Sequence, residues 1–207
     1  MRIVLATRNR GKLEELRALL EPLGHDLLDL DDAGIVPDGV EDELEQYDTF
    51  EENALAKARY FFSRAGGLGV LADDSGLEVR ALGGRPGVHS KRFSGRTDLS
   101  GRALDAENNA RLLAALESAG DRGARFVCAA AFVSSRGEAV ARGVVDGRIL
   151  EMPRGSEGFG YDPLFYAVEL GKSFGEADVA EKERVSHRGR AFRALIERAL
   201  VRDAAPH

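Results

Sequence analysis

The sequence predicts an α/β fold with a mixed sheet and flanking helices, on three observations. Short runs that are apolar on both faces alternate with stretches of helical period. Polar, glycine-bearing punctuation follows the apolar runs. Two apolar runs, residues 126–133 and 139–145, lie close enough in sequence to pair back as an antiparallel hairpin. The chain has 207 residues and is 43% hydrophobic, enough for one large domain or two intimate lobes around a sizeable core. It contains no repeat, low-complexity tract or domain-separating linker, so one domain over residues 1–207 is expected.

Residues 2–6 carry Ile, Val and Leu and read as a buried strand. The punctuation TRNRGK follows, and Leu13, Leu16, Leu19 and Leu20 then recur at helical spacing up to Pro22 and Gly24. Residues 25–30 read as a second strand, and the acidic stretch 31–48 as an exposed loop. Thr49 opens the next helix with Glu52 at capping-box spacing. Its apolar stripe is Phe50, Ala54, Leu55, Ala58, Phe61 and Phe62. Residues 68–72 form a buried strand that leads into Asp73-Asp74, with Leu77, Val79 and Ala81 as a possible continuation. The glycine-rich cationic stretch GGRPGVHSKRFSGR, residues 83–96, fits a functional loop better than a core element. Asp105 caps a helix with Ala110, Leu112, Leu113 and Leu116. Residues 126–133 make a central strand, residues 154–163 a second glycine-bearing loop, and the last helix starts near Ser186 and runs through Phe192, Leu195, Ile196, Ala199 and Leu200.

Formal net charge is −6, which argues against a nucleic-acid polymer or an anionic membrane as partner, since both need a basic surface. A small anion needs only a local cluster of cations. The single cysteine, Cys128, cannot build a disulfide framework or a cysteine zinc site and reads as a small buried hydrophobe. The opening MRIVLATRNRGK has too short an apolar run for a signal peptide, and no stretch approaches a membrane span, so a soluble cytoplasmic protein is expected.

Five stretches carry candidate chemistry. Thr7, Asn9 and Lys12 sit on a strand-to-helix turn, where free N–H groups and the helix dipole favour anions; the turn reads as a phosphate cradle or as ordinary capping. The Walker A pattern is absent. Glu45 lies in the loop before the second helix, and Lys57 reads first as a solvated face residue and second as a site cation. Asp73-Asp74-Ser75-Gly76 follows a strand at its expected C-terminal end, the edge where open α/β sheets bind ligands. A carboxylate there can hold Mg²⁺ or take a proton from water, and an Asx-turn is the alternative. Side chains on an extended chain alternate, so the two acids should face opposite ways. In EGFGYDPLF, Phe159 stands between two glycines, which suits stacking on a planar base or a place in the core. In EKERVSHRGRAF, the cations Lys182, His187 and Arg188 gather where they oppose a helix dipole, a local conflict of the kind that marks function.

With these stretches in order, the sequence resembles the Ham1-type family of nucleoside-triphosphate pyrophosphatases. The resemblance runs through T-x-N-x-x-K at 7–12, F-x-E-N-A at 50–54, ADDSGL at 72–77, GGRPG at 83–87, FGYDP at 159–163 and SHRG at 186–189. It implies two α/β lobes around a central substrate cleft, a homodimer, Mg²⁺ as cofactor, and hydrolysis of ITP, dITP and XTP to the monophosphate and pyrophosphate. It implies that Thr7, Arg8, Asn9, Arg10, Gly11 and Lys12 hold the triphosphate. Asp74 would be proton acceptor and metal ligand, Glu45 the other metal ligand, and Ser75 a substrate contact. Phe159, Gly160, Tyr161, Asp162, Lys182, His187 and Arg188 would enclose base and sugar, with Arg188 and His187 donating to the C6 keto oxygen and N7. Asp73 is expected to be a local hydrogen-bonding acid that shapes the turn. Two other readings fit the same residues: a pyrophosphatase for another modified nucleotide, and a nucleotide-binding regulatory module without turnover.

Overall fold

The computed structural model describes the backbone of residues 1–203; the side chains of residues 42 and 199–203, among them Ala199 and Leu200, lie outside the description. The elements in chain order are β1 (Arg2–Leu5), α1 (Arg10–Leu20), β2 (Asp26–Leu28), α2 (Phe50–Phe62), β3 (Gly69–Val79) and α3 (Gly101–Ala115). Then follow β4 (Gly123–Ser134), β5 (Gly137–Ile149), β6 (Phe165–Ala167), β7 (Lys172–Ser173), α4 (Val179–Val185) and α5 (His187–Asp203). Among the described residues the seven strands pair in the order β2-β1-β3-β4-β5-β6-β7. β1 is parallel to β2 and β3, whereas β6 is antiparallel to β5 and β7, so the sheet is mixed. β4 and β5 are neighbours joined only by Ser135-Arg136, a hairpin, as the two apolar runs predict.

The chain divides into two compact units. One comprises Met1–Asp74, Cys128–Gly143 and the chain from His187 onward; the other comprises Ser75–Val127 and Val144–Ser186. Each has its own core. In the first, Ile3, Leu5 and Leu71 of the sheet pack with Leu16 and Leu20 of α1 and Phe192 of α5. In the second, Phe126, Phe165 and Phe174 pack with Leu112 and Leu116, and Phe126 meets Phe165 at 4.5 Å between ring centroids.

The short strands β6 and β7 were not read from the sequence, and three further elements differ from that reading. β3 does not end at Ala72 but runs through Asp73 and Asp74 to Val79, so the acids close no turn. Each acid finds polar partners on its own face, so the strand has no need to stop. α3 begins at Gly101, so Asp105 lies inside the helix rather than at its cap. α4 is a short helix that the periodicity did not reveal, closed by a capping box between Asp178 and Glu181. Among the described residues no helix is long and apolar enough to cross a membrane.

Gly143 on β5 allows the first turn of α5 to approach. A Cβ built there would strike the carbonyl of His187 and the amide of Ala191, and backbone cannot rotate away. Gly143→Ala should therefore cost about 1–3 kcal/mol of stability, read as a lower urea midpoint at unchanged slope.

Candidate active site

The first unit gathers most of the candidate residues. Where β1 ends, the Ala6 amide donates to the Leu71 carbonyl at 2.7 Å, and the chain then turns into α1. Thr7 Oγ1 accepts the Asn9 amide at 3.2 Å, and Asn9 Oδ1 caps α1 by accepting the Lys12 amide at 3.1 Å. Arg10 is exposed, and Gly11 lies half-buried in the first turn. Arg8 points elsewhere. Its Nε and Nη2 grip both carboxylate oxygens of Glu41 at 2.7 and 2.8 Å, and Nη1 reaches Asp31 at 3.0 Å. The guanidinium thus ties the acidic loop to the turn. A fork bound on both carboxylate oxygens is already committed geometrically.

The two acids of β3 lie just beyond the end of its pairing with β1, which stops at Leu5 and Leu71. Asp73 is 1% exposed and Asp74 5%. They face opposite ways, as alternation requires. Asp73 Oδ2 receives Lys12 Nζ at 3.0 Å and the Nε and Nη2 of Arg188 at 3.3 and 3.2 Å, with the Cys128 thiol at 3.9 Å. Burial alone would raise its pKa, but Lys12, Arg188 and Lys57 outweigh that and hold it well below the usual carboxylate range. The expectation that Asp73 merely shapes a turn is corrected: it is the buried counter-charge of two cations. Burial, and next the charge of Asp73, push the Cys128 thiol up, so it stays an inert small hydrophobe.

Asp74 has the opposite electrostatics. Burial first, and the charge of Glu45 second, push it up to about 6, against Lys57, Lys12 and a hydrogen bond from Asn53. That bond runs from Asn53 Nδ2 to Asp74 Oδ2 at 2.9 Å. Ser75 follows, half-buried, on the same strand.

Lys57 corrects a second expectation. It is 9% exposed rather than solvated, with Nζ paired to Glu45 and donating to the Asp73 carbonyl at 2.9 Å. Burial would lower its pKa, but Glu45, Asp73 and Asp74 raise it, so the ammonium stays charged. The buried face of α2 is Phe50, Asn53, Ala54, Lys57, Ala58 and Phe61, which follows the 3.6 period. Two polar residues therefore sit inside the apolar stripe. That was the available signal for Lys57 and also for Asn53, a site neighbour that reading the apolar residues alone missed.

At the start of α5, His187 and Arg188 are both buried. Arg188 is flanked by Asp73 and by Glu15 of α1. These two carboxylates offset the conflict between a cation and the helix N-terminus. Glu15 was the other neighbour missed; its only sequence signal is its position three residues after Lys12 on one side of α1.

The second unit holds the FGYD loop and Lys182. Gly158 and Gly160 adopt left-handed backbone on either side of Phe159. A Cβ at Gly158 would also strike the Asp162 carboxylate. Asp162 Oδ2 accepts the Phe159 amide at 2.8 Å and Lys182 Nζ at 2.5 Å. The Lys182 ammonium lies 4.9 Å from the centroid of the half-buried Phe159 ring, within cation–π range. Lys182 sits on α4 near its C-terminal end, where a cation suits the dipole. Tyr161 is buried and gives its hydroxyl to the Ser90 carbonyl at 2.8 Å. Its side chain anchors the loop, so a ligand would meet its backbone.

Among the described residues no group of three or more His, Cys, Asp or Glu side chains is placed to hold a metal. Asp74 and Glu45 nevertheless fit Mg²⁺, which is commonly bound by one or two carboxylates with substrate phosphates and waters completing the shell. Burial is the larger cause of the raised Asp74 and the charge of Glu45 the second, and a cation bound by both acids would offset each.

Fold and clusters define a class: a mixed-sheet α/β protein that gathers buried carboxylates and cations on a sheet strand and on the helices whose side chains reach it. A model of the Ham1 family matches residues 3–198. A dITP/XTP pyrophosphatase of Thermus thermophilus is 50% identical over 201 residues, 95% of this chain and 91% of that protein. A dITP/XTP pyrophosphatase of Ralstonia nicotianae is 47% identical over 200 residues, 95% of this chain and 96% of that protein. The solved structure of the Staphylococcus aureus Ham1 protein superposes with a TM-score of 0.80 at 32% identity, covering 99% of this chain and all of that one. The chain belongs to the Ham1 family.

Removing the Asp73 carboxylate takes the counter-charge from the largely buried Lys12 and one of two from Arg188, which keeps Glu15. Asp73→Ala should therefore cost about 3–5 kcal/mol in denaturant unfolding, far more than a surface Asp→Ala control such as at Asp98.

Proposed function

We propose that this protein hydrolyses the non-canonical purine nucleoside triphosphates dITP, XTP and ITP to the monophosphate and pyrophosphate. The observation that carries the reading is the acid pair: Asp74, 5% exposed on β3 and held by the Asn53 amide, with the charge of a second acid, Glu45, acting on it. With a cation on both acids Asp74 would be ionised, the form in which a carboxylate takes a proton from water. The names of the relatives, dITP/XTP pyrophosphatases, support the same reading.

In this reading Asp74 takes the proton of the water that attacks the α-phosphorus. The bond from the α-phosphorus to the bridging oxygen breaks, and pyrophosphate leaves. Lys12 and the N-terminal turn of α1 hold phosphate charge, and Lys57 keeps Glu45 in place. When bound by Asp74 and Glu45, Mg²⁺ neutralises phosphate charge and lowers the pKa of a water. Phe159 offers a flat face to the base. Arg188 and His187 supply donors for the C6 keto oxygen and N7, and Asp73 and Glu15 hold the Arg188 guanidinium in one orientation. Adenine presents an amino group at C6 and would leave those donors unpaired, a difference of about 1–3 kcal/mol for a bidentate contact. Mg²⁺ dependence and a homodimer belong to the same proposal and rest on the resemblance in motifs, and a cytoplasmic setting is proposed with them.

Incubation with Mg²⁺ and dITP should give dIMP and pyrophosphate; tight binding without product, or orthophosphate, overturns the reading. Asp74→Asn loses base and metal ligand together, so turnover should fall by more than about 10⁴-fold, and near-normal turnover removes Asp74 from its role. Across a panel, dITP, ITP and XTP should release pyrophosphate at least about tenfold faster than ATP and GTP, and equal rates refute the base selection alone.

A further inference from the structure

Helix α3 carries Asp105, Asn108 and Asn109, three residues of low helix propensity, well inside Gly101–Ala115. Asp and Asn are unfavourable there because their side chains compete for backbone hydrogen bonds. Each of the three bonds the backbone of a loop outside the helix instead. Asn108 Oδ1 accepts the Ser94 amide at 2.8 Å, and its Nδ2 donates to the Lys91 carbonyl at 3.0 Å. Asp105 Oδ2 accepts the Gly160 amide at 2.9 Å, and Asn109 Nδ2 donates to the Gly160 carbonyl at 3.0 Å.

The last two bonds form a clamp. Residues four apart lie on one side of a helix, so Asp105 and Asn109 project together. Between them they take both backbone polar groups of one residue. Gly160 has φ +60 and nothing within 4 Å of a built Cβ, so glycine is needed there for its backbone conformation and not for space. A residue held at its N–H and its C=O is fixed in position and in orientation. Phe159 directly precedes it, and the amide of Phe159 is tied in turn to Asp162. Residues 151–158 ahead of Phe159 are exposed and irregular, whereas Tyr161 and Asp162 after Gly160 are buried and anchored; loop backbone is mobile where no rigid element fixes it.

We propose that Asp105 and Asn109 are positioning residues for base recognition: by clamping Gly160 to α3 they hold the Phe159 ring in the plane a purine stacks on. The inference rests on the proposed function for its ligand, though not for its geometry. Neither residue stands in any of the motifs that carry the family resemblance.

The chain has no tryptophan, so Phe159→Trp places a single fluorophore on the platform. In that background, Asp105→Leu and Asn109→Leu should each lower the anisotropy and red-shift the emission. Asp105→Asn, which keeps an acceptor oxygen, should restore both. In the chain with Phe159 retained, Asp105→Leu should raise the KM for dITP by about tenfold or more, the scale of one charge-assisted hydrogen bond, and Asn109→Leu by about threefold or more, the scale of a neutral one, with kcat within about threefold in both. They should also narrow the preference for dITP over dATP. Asn109→Ser, which is too short to reach the Gly160 carbonyl but places no apolar group against the loop backbone, serves if a Leu variant fails to fold and should show the same pattern. Unchanged fluorescence overturns the clamp. Changed fluorescence with unchanged KM, or a fall in kcat alone, overturns its role in base recognition. Changed fluorescence in a chain that releases no pyrophosphate from dITP before mutation leaves the clamp standing, overturns its assignment to a purine and points to failure of the proposed function.

Discussion

The carboxylate of Asp73 is the charge around which the first unit is organised. It is almost fully removed from water, which no ionised group tolerates without partners. Lys12 reaches it from α1 and Arg188 from α5, while Lys57 of α2 takes the carbonyl of the same residue. Three helices are thereby pinned to one position on β3. The arrangement is mutual: without Asp73 the cations would repel one another, and without them Asp73 would be neutral. Buried ion pairs contribute little net stability relative to an apolar core, yet losing one partner is costly. Such a network therefore serves placement more than stability, and here it places Lys12 at the head of α1.

Asp74 shows how one peptide step reverses an acid's chemistry. It shares the strand and the degree of burial, but its hydrogen bond comes from the neutral Asn53, and burial and Glu45 together outweigh Lys57 and Lys12. Its neighbour is held ionised, while Asp74 is lifted toward neutrality. Pairs of acids whose surroundings push their pKa values apart are a common basis for dividing roles. One becomes a permanent counter-charge and the other a group able to exchange a proton. The doublet is thus two separate devices, and strand alternation keeps them from interfering.

The second unit solves a different problem, how to keep glycine-rich loops in one shape. Asn108 holds the cationic loop and Asp105 with Asn109 holds the FGYD loop, all from α3. The Tyr161 hydroxyl on the Ser90 carbonyl then joins the two loops directly. Function placed on loops needs such support from a rigid element, because loop backbone left to itself samples many states.

The sequence by itself determined the α/β class, most strands and helices, the hairpin, and the residues of the Ham1 motifs. These follow from periodicity and from short contiguous patterns, which are local properties. It also determined that Asp73 and Asp74 face apart, since that follows from strand geometry alone. Only the tertiary structure decided what each of them faces. Local reading made Lys57 a solvated residue, Asp73 a turn acid and Asp105 a helix cap. Lys57 and Asp73 were overturned by partners elsewhere in the chain, Glu45 and the Asp73 carbonyl for Lys57 and Arg188 for Asp73, and Asp105 by a helix that starts at Gly101, which leaves its side chain to hold Gly160. A charge's role depends on its surroundings, and packing assembles those surroundings from segments that no local window contains.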